Sequence, residues 1–153
     1  MRLKNFVTTL APIIPNELQG KLTFAANYSL NENEVRIFSM ALYAIISQLK
    51  EDGIAFDSLT NVNAVFTKNG TVELEENSSA FGNHISLAIY AIENLRHTNN
   101  ERFLLFAFVE ELVHHYWCIE DETKVKYKVL QIVQKIDSGI TLELIKGWGL
   151  NGL

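Results

Sequence analysis

Cysteine is nearly absent from this chain: Cys118 is the only one among 153 residues. A single thiol rules out an intramolecular disulfide and a cysteine-rich zinc site, and a reducing, cytoplasmic setting is the simplest expectation. Positive charge is scarce too. Thirteen lysines and arginines face 18 aspartates and glutamates, a formal net charge of -5. No basic cluster breaks that pattern, which argues against a nucleic-acid partner. Long apolar stretches are also missing. With no charge-free run of about 18 apolar residues, no membrane-spanning helix is expected. The nearest thing to a targeting segment is the N-terminus, where Arg2 and Lys4 precede a mostly apolar stretch from Phe6 to Ile14. Thr8, Thr9, Pro12 and Pro15 interrupt it, and its apolar part is short for a signal core. Residues 1–28 therefore read as a folded or loosely packed N-terminal arm.

What is present has an ordinary globular composition, 48% hydrophobic and 20% charged. The length suits one domain with a core that needs no covalent staples. The expected fold class is α+β. A core over 31–137 combines an N-terminal helix, an antiparallel or mixed sheet of about three strands, a buried helix and a C-terminal helix, with 138–153 as a tail. Val35, Phe38, Leu42, Ile45, Ile46 and Leu49 recur at helical spacing and predict an amphipathic helix over 31–52. Ser29 and Glu32 fit a capping box, and Gly53 stands where a C-terminal glycine belongs. Val62, Ala64 and Phe66 alternate before Lys68-Asn69-Gly70, and Thr71 to Leu74 follows. Asn-Gly between two such runs predicts a hairpin. The polar stretch 75–83 reads as a loop. Ile85, Leu87 and Ile89 alternate as a third strand, although Ile85, Ile89, Ile92 and Leu95 would also make a helical stripe.

After a turn at 97–100, with Asn99 or Asn100 as cap, a helix is expected from Glu101 to Trp117. Phe103 to Val109 is apolar on every side, so this helix belongs inside the domain, with Leu104, Leu105, Phe108 and Leu112 in the core. A final helix over 121–136 carries Val125, Val129, Ile132, Val133 and Ile136 on its inner face. Residues 141–146 read as a short helix, and Gly147-Trp148-Gly149 opens a flexible tail.

Into the apolar run are set Glu110-Glu111-Leu112-Val113-His114-His115. Carboxylates and imidazoles are costly to bury unless something pairs or coordinates them. Glu110 and His114 are four apart, as are Glu111 and His115, so each pair shares a helix face. One helix presents two metal ligands with that spacing. Glu122 precedes Val125 by three residues and Val129 by seven, which puts it on their inward face, while Asp121 suits the cap of that helix. Without a metal, Glu110 and His114 read as a hydrogen-bonded pair at a buried helix end. His115 alone reads as a packing or surface histidine, His84 and His97 as turn residues, and Cys118 as a small buried hydrophobe.

The frame Glu110-Glu111-Leu112-Val113-His114 resembles the His-Glu-x-x-His helix of zincin metallopeptidases, with glutamate in the place of the first histidine. A strand region leading into a buried motif helix, over roughly Asn31 to Ile136, is also similar to small zincin-like domains. The resemblance implies zinc, held by His114, by Glu110 in the first ligand's place and by Glu122 from the following helix, with His115 as the alternative ligand. It implies Glu111 as the general base of a peptidase-like hydrolase acting on a peptide or protein. Because position 110 lacks histidine, it equally implies a relative that has lost catalysis and serves as a metal-free binding or regulatory module.

Overall fold

The computed structural model describes residues 2–75 and 85–151. In chain order its elements are β1 (Arg2–Leu3), β2 (Leu22–Ala26), α1 (Glu32–Glu51), β3 (Val62–Thr67), β4 (Leu74–Glu75), β5 (Leu87–Ala91), α2 (Ile92–His97), α3 (Glu101–Tyr116), α4 (Glu122–Val133) and α5 (Leu142–Asn151). Short 3-10 turns occur at Asn16–Leu18 and Phe56–Ser58. The fold is α+β with a three-stranded sheet, as expected. The loop expected over 75–83 lies, beyond Glu75, outside the described residues, as does His84. No helix among the described residues is long and apolar enough to cross a membrane.

The sheet runs β2-β3-β5, and both of its pairings are parallel. This corrects the expected hairpin and the antiparallel or mixed strand direction. Gly70 does take the positive φ of a turn, at 87°, but the chain beyond it does not return along β3. It leaves as β4, which pairs antiparallel with β1. The reason lies in β3. Val62, Ala64, Val65, Phe66 and Thr67 are all buried, so β3 is the central strand of a parallel sheet, covered on both faces. Its two hydrogen-bonding edges are filled by β2 and β5, leaving no edge for a hairpin partner. The strand β2 comes from the stretch read as an arm.

Helix α1 links β2 to β3 in the way parallel strands require. Its cap is Asn31, whose side chain accepts from Glu34 N while Glu34 Oε1 accepts from Asn31 N. The capping box thus sits two residues beyond Ser29, because Asn31 to Glu34 repeats the same spacing with the better-placed acid. Glu34 also takes the Arg96 guanidinium in two bonds of 2.8 and 2.7 Å, which holds the end of α2 against the start of α1. Leu87 to Arg96 satisfies both expectations for that stretch in turn, first as strand and then as helix.

The helix carrying the Glu110–His115 block is fixed from three sides. Leu104, Leu105, Phe108 and Leu112 are buried, as expected. Phe108 stacks on Phe38 of α1 at 4.2 Å and meets Tyr90 of β5 at 5.1 Å. The Tyr90 hydroxyl donates to the Phe108 carbonyl at 2.9 Å, and the Tyr116 hydroxyl donates to the Lys21 carbonyl at 3.0 Å. The N-terminal end is capped by Asn100, which accepts from Phe103 N.

Candidate metal centre

Glu110 and His114 lie one turn apart on α3, and Glu122 opens α4 after the short connection 117–121. Asp121 caps α4 by accepting from Lys124 N, as its position suggested. One ligand atom from each of Glu110, His114 and Glu122 lies within 4.8 Å of the other two, an arrangement that could hold a metal ion. It is the one such group among the described residues. Glu122 reaches it from the rim rather than from the inward face. Its side chain is 65% exposed while Val125 and Val129 are buried, because the first turn of α4 extends past the edge of the core.

His114 is oriented for the task. Its Nδ1 lies 2.8 Å from the Ile119 carbonyl. A carbonyl only accepts, so Nδ1 carries the hydrogen and Nε2 is left with its lone pair. That nitrogen is 3.7 Å from Glu122 Oε1. His115 is oriented elsewhere: its Nε2 donates to the Leu87 carbonyl at 3.0 Å and ties α3 to the start of β5. The alternative ligand His115 therefore falls outside the group, as a packing histidine.

Glu110 is 8% exposed. Burial, then the neighbouring Glu111 and Glu122 carboxylates, push its carboxyl up to about 7, against the pull of His114 and Lys126. Burial also raises Glu111, opposed by His114 and His115. Three acids thus face one another with little positive charge among them, and a cation bound there would relieve their repulsion. Glu111 and Glu110 both line an apolar cleft of about 360 Å³ between β5, α2, α3 and α5.

Two contributors had weak signals in the sequence. Trp148 walls the cleft from α5, in a segment read as a flexible tail because glycines flank it. The spacing of Leu142, Ile145 and Trp148 is helical and marks the element. The Ile119 carbonyl has no residue-type signature at all. Cys118, expected to be buried, is exposed, with φ at 53° in the sharp turn that leaves α3. Comparison of the chain with protein-family models, with curated proteins and with solved structures gives no match.

Proposed function

We propose that the protein is a zinc-dependent hydrolase of the peptidase type, working in a reducing, cytoplasmic setting. Glu110, His114 and Glu122 hold the ion, and Glu111 is the general base. The observation that carries the reading is the convergence of those three side chains, of which Glu110, with Glu111 beside it, also lines an apolar cleft. An imidazole with two carboxylates is an acceptable donor set for zinc, and three protein ligands leave a position open. A bound divalent ion supplies an acidified water and polarises a carbonyl. The chain's residues do the rest. His114 presents Nε2 because Ile119 holds Nδ1. Glu111 takes and returns the proton, and its raised carboxyl brings it nearer the neutral range in which a base works best.

A second reading, a zincin-shaped module without metal, is favoured by one observation. Burial raises the Glu110 carboxyl to about 7, so a proton can take the place of an ion there near neutral pH. Substitution of Glu111 separates the two. In zinc-loaded protein, Glu111→Gln should lower peptide hydrolysis by about 100-fold or more while metal content stays unchanged. Hydrolysis that survives the substitution would remove Glu111 from its role. A wild type that binds no metal and hydrolyses nothing would favour the module.

A further inference from the structure

Asp52 ends α1 as its C-terminal cap. A carboxylate there faces the carbonyl end of the helix and has the wrong sign for the dipole. Three donors offset that. Oδ2 accepts from the Trp117 indole N–H at 2.7 Å and from the Lys128 ammonium at 2.6 Å. Oδ1 accepts from the Gln48 amide at 3.0 Å. Burial acts to raise the Asp52 carboxyl, yet Lys128, Trp117 and Gln48 keep it below its ordinary value, so it is charged at neutral pH. The Lys128 side chain is only 17% exposed, a degree of cover that lysine rarely accepts without a partner. Its ammonium also lies 5.7 Å from the centre of the Trp117 ring, within reach of a cation–π contact. One carboxylate thus gathers the ends of α1 and α3 and the body of α4.

Trp117 and Lys128 bracket the candidate metal donors. Trp117 caps the end of α3, three residues after His114, and Lys128 lies on α4, six residues after Glu122. The connection 117–121 contains Cys118, at a φ of 53°, and the Ile119 carbonyl that holds His114 Nδ1. The Glu122 side chain is largely exposed, so its place beside His114 depends on where the first turn of α4 is set.

We propose that Asp52 is a positioning residue for the metal donors: by holding Trp117 and Lys128 on one carboxylate, it fixes the α3–α4 connection where the Ile119 carbonyl orients His114 and where Glu122 faces it. Asp52 bonds to none of the three donors and acts through the two ends of the connection. The inference rests on the reading of Glu110, His114 and Glu122 as a metal site. Groups that orient metal ligands without touching the ion are commonly worth about ten- to a hundredfold in affinity.

The test is titration of the whole chain with zinc, in competition with a chromophoric chelator. Asp52→Ala should weaken zinc binding by about ten- to a hundredfold, with the stoichiometry unchanged. Lys128→Met keeps the length of the side chain and cuts the contact from the α4 side. It should also weaken binding, and it should add little when combined with Asp52→Ala, because both remove one shared interaction. Asp52→Asn, which can still accept from Trp117, should recover part of the loss. Leu42→Ala, a core truncation elsewhere on α1, should lower stability and leave zinc affinity unchanged. The visible absorption of cobalt-loaded protein reads the donor geometry. It should change in Asp52→Ala, as water replaces a displaced donor, and match the wild type in Leu42→Ala. Zinc affinity equal to wild type in both Asp52→Ala and Lys128→Met would overturn the proposal and leave the metal site standing. So would an affinity loss that Leu42→Ala reproduces with the cobalt spectrum unchanged, since Asp52 would then be a stabilising residue only. A wild type that binds no zinc overturns the metal site itself, and this inference with it.

Discussion

The Glu110 carboxyl sits at about 7, raised first by burial and then by Glu111 and Glu122. Its ordinary value is 4.5, so between those values the folded chain holds a proton that the unfolded chain has released. The stability associated with this group is therefore fully present below about pH 4.5 and is lost as pH rises through about 7. Denaturant unfolding of metal-free protein should show wild type losing roughly 1–3 kcal/mol more than Glu110→Gln between about pH 5 and 8. Parallel pH profiles for the two proteins would contradict it. A metal reverses the sense, because an ion must displace that proton and binds more tightly as pH rises. At this scale the sequence was informative about identity and poor on orientation. Two acids and two histidines in an apolar run singled out Glu110 and His114, and spacing from Val125 and Val129 brought in Glu122. Helical spacing alone did not distinguish His114 from His115, because the Ile119 and Leu87 carbonyls that orient them are backbone groups.

Helix α3 carries the site by being buried on nearly all sides, and its position is set by contacts distant in sequence. Phe38, Phe66, Tyr90 and Phe108 form one aromatic cluster across α1, β3, β5 and α3. Leu112, wholly buried between Glu111 and Val113, holds the block against that core. Leu112→Ala should cost about 2–5 kcal/mol of unfolding free energy, read from the denaturant midpoint. A loss below roughly 1 kcal/mol would show that the helix can shift to close the gap. The helices were legible because a 3.6-residue stripe or an all-round apolar surface is a local property. The strand partners were not. Asn69-Gly70 is a genuine turn signal, yet pairing is decided by which edges are free. Val62 to Thr67 is covered on both faces and flanked by two parallel strands rather than by its neighbour in sequence, and the polar Asn63 and Thr67 hid that double burial from the residue pattern. Residues 22–26 escaped notice because five residues between a 3-10 turn and a capped helix carry little periodicity.

In the whole molecule, a parallel sheet and the helices packed with it bring the end of α3 and the start of α4 together and set the Glu110 and Glu111 turn of α3 beside β5. The proposed metal donors come from α3 and α4, the proposed base from α3, and the apolar cleft from β5, α2, α3 and α5. Secondary structure explains each piece, and only the tertiary arrangement makes them neighbours. The claim on which the rest depends is that Glu110, His114 and Glu122 form a metal site. Mass spectrometry of metal content on protein purified without chelators tests it most directly, with His114→Ala as the comparison. Wild type should carry about one divalent ion per chain, zinc by preference, and the folded His114→Ala protein should carry almost none. Wild-type protein free of stoichiometric zinc, iron or manganese, or a His114→Ala protein that retains the ion, would contradict it.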